Sequence, residues 1–219
     1  MEIDEEKEVL RYLGYQNREA DDVTLSYIKE LKNELDASLK PKYVYRKCGI
    51  GVLSNETVEI ENIKIKSVDL ASYARGSEWV ILLAATLGIE ADIMIRRYCV
   101  TNTAKAAVAQ AVCAATLESL IDSVERGITS EENGECHGES IYLKPRFSPG
   151  YGDFDISYQK DILNLLRQKK RIGITLTDKF MMIPEKSVTA LAALTKEKQS
   201  AKTKCSYCAD AKCGFRQGK

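Results

Sequence analysis

Histidine is almost missing from this 219-residue chain, with His137 its one imidazole. No obvious nucleophile–base pair can be assembled, which turns attention from acid–base chemistry to binding and orientation. Net charge is missing as well, because 32 basic residues cancel 32 acidic ones. Such a balance creates no long-range field to gather nucleic acid or an anionic membrane surface, so neither is an expected partner. There is no run of about 18 or more apolar residues, and no charged start leading into an apolar stretch and a small-residue cleavage site. A soluble, cytoplasmic protein is the expectation. No repeat at a period of about 20 to 50 residues is visible, which argues against a solenoid. The seven cysteines are an odd number without the even framework of a small secreted scaffold, and a reducing compartment follows.

What is present reads as one domain with a tail. Apolar residues recur at helical spacing from Asp4 to Leu13 and from Asp22 to Leu39, as in Val23, Tyr27, Ile28, Leu31 and Leu35. Gly14 and Pro41 are suited to follow the two helices. Tyr43 to Val52 and Val58 to Ile65 are rich in β-branched and aromatic residues, with a turn at Asn55. A short helix is expected from Ser67. Trp79 to Ala85 is an apolar run of the length of a buried strand and the best candidate for the sheet centre. Helices follow after Gly88 through Tyr98 and, rich in alanine, from Thr103 to Arg126, where small side chains favour helix and close approach. A polar loop is expected over Glu131 to Glu139, then a strand from Ser140 to Leu143, a helix from Ser157 to Gln168, and short strands at Ile172 to Leu176, Lys179 to Ile183 and Ser187 to Leu194. Cys48, Cys99 and Cys113 read as core residues.

The most informative segment is Arg146, Phe147, Ser148, Pro149, Gly150, Tyr151, Gly152. It leaves a strand and turns sharply through Pro149 and Gly150, a combination that suits a β-turn and lets a ligand approach the main chain. Arginine can grip a carboxylate with two charge-assisted hydrogen bonds, and tyrosine offers an apolar ring with a polar tip. The competing reading is a surface turn whose arginine pairs with a neighbouring acid.

This turn, the helix carrying Leu163 and Leu166, and the run Ile172 to Thr189 together resemble the C-terminal reactivation domain of cobalamin-dependent methionine synthase. Val80 to Gly88 and the alanine-rich helix containing Glu118 are similar to the middle of that domain. The resemblance implies an α+β fold with a curved, mainly antiparallel sheet flanked by helices. It also implies S-adenosylmethionine binding: Arg146 on the methionyl carboxylate, the main chain near Ser148 and Gly150 accepting from the ligand, Tyr151 facing the corrin, and Glu118 opposing the amino group or sulfonium. The implied activity is that of a methyltransferase component, remethylating cobalamin that has been oxidised to Co(II), with one electron from a flavodoxin-type donor. The chain has no room for corrinoid-binding modules, so the expected partner is a corrinoid-binding methionine synthase protein. Gly152 and Asp153 depart from the Pro-Ala that the long enzyme carries after its tyrosine.

Three regions follow: 1–40 as helices packed on the domain, 41–194 as the core, and 195–219 as a polar linker with a cysteine tail. Cys205, Cys208 and Cys213 place three thiolates within nine residues, spacing that suits zinc or an iron–sulfur cluster. Cys136 or His137 would supply a fourth ligand; incidental cysteines in a polar tail are the alternative. A non-catalytic module that docks a corrinoid protein, or a redox or metal carrier using the tail, are the other functional readings.

Overall fold

The computed structural model of the protein describes residues 5–15, 18–135, 140–167 and 171–197. Three strands, β1 (Lys42–Ser54), β2 (Thr57–Ile60) and β3 (Ile63–Lys66), run back and forth. They join β4 (Trp79–Thr86), β5 (Tyr142–Leu143) and β8 (Ser187–Thr195) in a six-stranded antiparallel sheet of order β3-β2-β1-β4-β8-β5. β4 lies between β1 and β8, with Val80 opposite Cys48 on one side and Ala193 on the other. Both of its faces are covered. Val80, Leu82 and Ala84 enter one core while Leu83 and Ala85 enter another, because successive side chains of a strand point to opposite faces. That double burial is why β4 reads as an unbroken apolar run.

On one face lie α3 (Val68–Ala74) and α6 (Gln159–Arg167), the latter entered through a 3-10 turn at Ile156–Tyr158. The other face is covered by α5 (Thr103–Glu135), with α1 (Glu5–Tyr12), α2 (Asp22–Ser38) and α4 (Ile89–Thr101) sharing its core. α5 is long and apolar enough to span a membrane by length and composition. Its Ala109, Val112, Cys113, Ala115 and Ile121 are instead buried with strand residues Leu83, Ala85 and Ala190, so here it is the core helix of the domain. Small side chains on helix and strand allow the close approach that the alanine-rich sequence predicts.

Several expectations change. α5 does not end near Arg126 but runs to Glu135, with Ile128 buried, so residues 131–135 of the expected loop are helical and its remainder, 136–139, lies outside the described residues. Tyr45 donates to Glu131 at 2.6 Å, Lys47 to Glu132 at 2.5 Å, and Asn133 exchanges hydrogen bonds with the main chain of Ile141. These long-range bonds extend the helix through residues that local composition assigns to a loop. The strand expected over Ile172 to Leu176 shrinks to β6 (Thr175–Leu176), paired only with β7 (Met182–Ile183), because Ile172 and Ile174 are spent in the core rather than a ladder. Cys48 and Cys113 are buried but Cys99 is exposed. The last buried residue of α4 is Ile95, so its final turn carries Cys99 outward. Val23, in the first turn of α2, is likewise exposed.

The N-terminal helices are fixed by polar bonds as well as by packing. The Asp21 carboxylate caps α2 by accepting from Thr24 N at 2.9 Å, and also accepts from Tyr15 Oη at 2.8 Å. The backbone bond from Thr24, then the Tyr15 hydroxyl, draw its pKa down to about 2 from 3.8. A depressed carboxylate contributes stability above its unfolded value that disappears as pH falls through the folded one. Asp21→Ala should therefore lower the melting temperature at pH 7, with the gap from wild type closing between about pH 4 and pH 2. Thermal melts by circular dichroism across that range test this; a gap independent of pH would show that the cap works without its charge.

Candidate functional site

The Arg146 turn grows from the free side of β8. Beyond β5 the chain stays beside that strand, with Lys144 N donating to Ala193 O at 2.8 Å and Phe147 and Leu191 exchanging backbone bonds at 2.8 and 2.9 Å. Alternation then sends neighbouring side chains to opposite faces. Phe147 enters the α3 and α6 side, stacked between Tyr73 at 5.3 Å and Phe154 at 6.1 Å. Arg146 reaches α5 on the other side.

There its guanidinium meets three carboxylates. The Nη2 atom lies 2.8 Å from both Glu118 Oε2 and Asp122 Oδ1, and Nη1 lies 3.0 Å from Glu125 Oε2. Positions 118, 122 and 125 are one stripe of a helix. The arginine side chain is only 7 % exposed while its partners retain 20 to 29 %. Burial pulls the Arg146 pKa down, but the charges of Glu125, Glu118 and Asp122 outweigh it and the net shift is upward. Glu118 was the acid that sequence reasoning placed here; Asp122 and Glu125 were missed, although their i+4 and i+7 spacing from Glu118 was the available signal. Tyr12 of α1 borders the cluster, its pKa pushed up to about 12 by burial and then by the charge of Glu118.

The turn itself closes on Gly150, whose N–H donates to Phe154 O at 2.7 Å. Gly150 has φ +94, a conformation that glycine adopts without steric cost. Tyr151 N donates to Ser148 O at 3.1 Å, and that carbonyl keeps a second lone pair. Tyr151 projects outward, 59 % exposed, with its ring edge-on to Phe147 at 6.3 Å. Beyond it, Asp153 reaches α3: its carboxylate accepts from Ser67 Oγ at 2.5 Å, Val68 N at 2.7 Å and Asp69 N at 3.1 Å. In return Asp69 Oδ2 accepts from Asp153 N at 3.2 Å.

Beside the turn runs a groove of about 660 Å³, lined among others by Pro149, Ile156, Gln159, Met181, Ile183 and Lys186. Its size suits a small organic ligand. The Gln159 side chain, buried, donates to Phe180 O at 3.0 Å and accepts from Thr189 Oγ1 at 3.3 Å, fixing one wall. The structure thus brings Arg146 and Glu118 into contact on one side of the edge segment and leaves Ser148, Gly150 and Tyr151 on the turn beyond it. Among the described residues no group of three metal-binding side chains occurs. Cys205, Cys208, Cys213, Cys136 and His137 lie outside the described residues.

An α+β domain whose antiparallel sheet carries an arginine-anchored turn at its edge is the class that this geometry defines. Residues 64–208 match the family model of the vitamin B12 dependent methionine synthase activation domain, and the chain belongs to that family. Among solved structures it is similar to the crystal structure of the MetH reactivation domain bound to AdoHcy. That likeness has a TM-score of 0.62 at 16 % identity, over 85 % of this chain and 70 % of that one. It establishes the shared fold. No curated protein matches.

Removing Arg146 takes the guanidinium from between three carboxylates. Arg146→Met should cost about 2–3 kcal/mol by urea denaturation, less than for fully buried pairs because the acids remain partly exposed. Adding Asp122→Asn and Glu125→Gln should recover part of that loss. Full additivity of the substitutions would show that the cluster carries no coupling.

Proposed function

We propose that this activation domain binds S-adenosylmethionine at the Arg146 turn and presents its methyl group to cobalamin held by the corrinoid-binding module of a methionine synthase. The observation that carries the reading is Arg146, buried yet placed at the foot of an outward-facing turn, with Glu118 on the same guanidinium. An amino-acid end group is a zwitterion. A carboxylate pairs with a guanidinium and an ammonium pairs with a carboxylate, and Arg146 and Glu118 supply both partners 2.8 Å apart. Membership of the family and the fold shared with a domain bound to AdoHcy support the assignment.

The chemistry asks little of the protein in acid or base. One electron from an external donor, flavodoxin-type in our reading, would take the partner's cob(II)alamin to the Co(I) nucleophile; a Co–CH3 bond would form as the S–CH3 bond breaks, and the sulfonium would leave as a neutral thioether. The residues of this chain hold and aim the donor. Arg146 and Glu118 would fix the amino-acid end, carbonyls at the Ser148 and Gly150 turn would accept hydrogen bonds, and Tyr151 would cover the approach to the corrin. Orientation and exclusion of water are then the main contributions to rate.

One observation favours a second reading. Arg146 already holds three carboxylates, which suits a purely structural arginine in a non-catalytic module that docks a corrinoid protein.

Isothermal titration separates the two. Wild type should bind S-adenosylmethionine, and Arg146→Lys, which keeps the charge but loses the planar fork, should bind at least ~10-fold more weakly while remaining folded. Glu118→Gln should weaken binding too. Absence of binding to folded wild type would leave the docking module as the reading.

A further inference from the structure

We infer that Asp153 is a positioning residue, seated on α3 so as to hold the Tyr151 turn in its ligand-receiving shape, with Asp69 and Gly152 completing the lock. This rests on the proposed ligand role of the turn for its use, though not for its existence. The residues concerned are those in which the sequence after Tyr151 departs from the pattern of the long enzyme it resembles.

Four hydrogen bonds join two segments more than eighty residues apart. Asp153 receives three of them, and they are of the kind a helix start offers: two backbone N–H groups and the hydroxyl of Ser67, the residue that caps α3. Ser67 Oγ in turn accepts from Leu70 N at 3.0 Å, so the cap and the lock share one hydroxyl. The return bond from Asp153 N to Asp69 prevents the segment from rotating about the first three. Bonds in both directions fix position and orientation together.

Gly152 makes this approach possible. It has φ +55, and a Cβ built on it would lie 2.0 Å from Asp69 Oδ2. Any other residue would push Asp69 away or move the turn, in addition to the strain of that φ. The aromatic stack of Tyr73, Phe147 and Phe154 anchors the two ends of the turn, and the Asp153 bonds act on the stretch between them that carries Tyr151. A turn already ordered does not pay its ordering entropy when ligand arrives, so the lock should appear as affinity.

The test uses the full chain with Asp153→Ala, Asp153→Asn and Gly152→Ala, each followed by amide hydrogen exchange, thermal melting and titration with S-adenosylmethionine. Asp153→Ala should raise exchange at Gly150, Tyr151 and Phe154 by at least ~10-fold while β4 and β8 stay protected. Affinity should fall by roughly 10-fold in parallel. Asp153→Asn keeps an oxygen for Ser67 and Asp69 but not the acceptor used by Val68, and should fall between; it also decides the matter if the alanine variant does not fold. Gly152→Ala should reproduce the loosening with Asp153 intact. Unchanged exchange at the three turn amides would overturn the lock. Loosened exchange with unchanged affinity in a binding wild type would overturn its positioning role and leave a simple helix cap. Should wild type not bind, the ligand assignment of the turn fails, and the exchange data alone decide whether the lock exists.

Discussion

The guanidinium of Arg146 is the point at which sheet edge and helix layer are tied together. It projects from the segment beside β8 and spans three acids along two turns of α5. A buried cation is tolerable only when its charge is compensated and its donors are engaged. The register between the edge segment and α5 is therefore constrained by chemistry as well as by apolar packing. Phe147, the next residue, is held on the opposite face by its aromatic stack. Two successive side chains thus clamp the edge segment from both layers, and the turn beyond them starts from a defined place and direction.

What the turn does follows from that clamp. A loop that begins on two anchored side chains and ends on Phe154 has few residues left to move, and Asp153 engages part of that remainder. Tyr151 can then be exposed without being loose. In the proposed role this arrangement would reconcile two demands on a recognition element, which must face outward to meet a partner and must be ordered to gain affinity from its contacts.

Legibility from sequence followed the range of the interactions. β4 was identifiable because a doubly buried strand has to be apolar at every position, and α5 because alanine content is a local property. The end of α5 was hidden, since Asn133 and Gly134 look like a turn and the bonds to Ile141, Tyr45 and Lys47 that keep the helix going come from elsewhere in the chain. Cys99 was misplaced because hydrophobicity does not show where a helix outruns the layer it covers. At the site, family resemblance assigned Arg146 and Glu118 to different groups of a ligand; their direct contact is what the competing reading, an arginine paired with a neighbouring acid, describes. Asp122 and Glu125 were visible only as ordinary helical acids until the edge segment was laid against them. Asp153 was similarly opaque: a lone aspartate after glycine gives no hint that its partners begin at Ser67.

On the proposed reading, the three carboxylates bear on how one arginine could be structural and also meet a ligand. A guanidinium has five N–H donors, and the acids of α5 engage its two terminal nitrogens. A ligand carboxylate arriving at the same group enters a field of like charge. It is favoured when the ligand brings positive charge of its own to sit against Glu118 or its neighbours. The cluster is therefore suited to a zwitterionic or cationic amino-acid end and hostile to a simple anion. An arginine paired with a single acid would not discriminate in this way, because its site would be close to neutral. In the proposed site, the acid stripe that stabilises the arginine in the fold would also restrict what the arginine can bind.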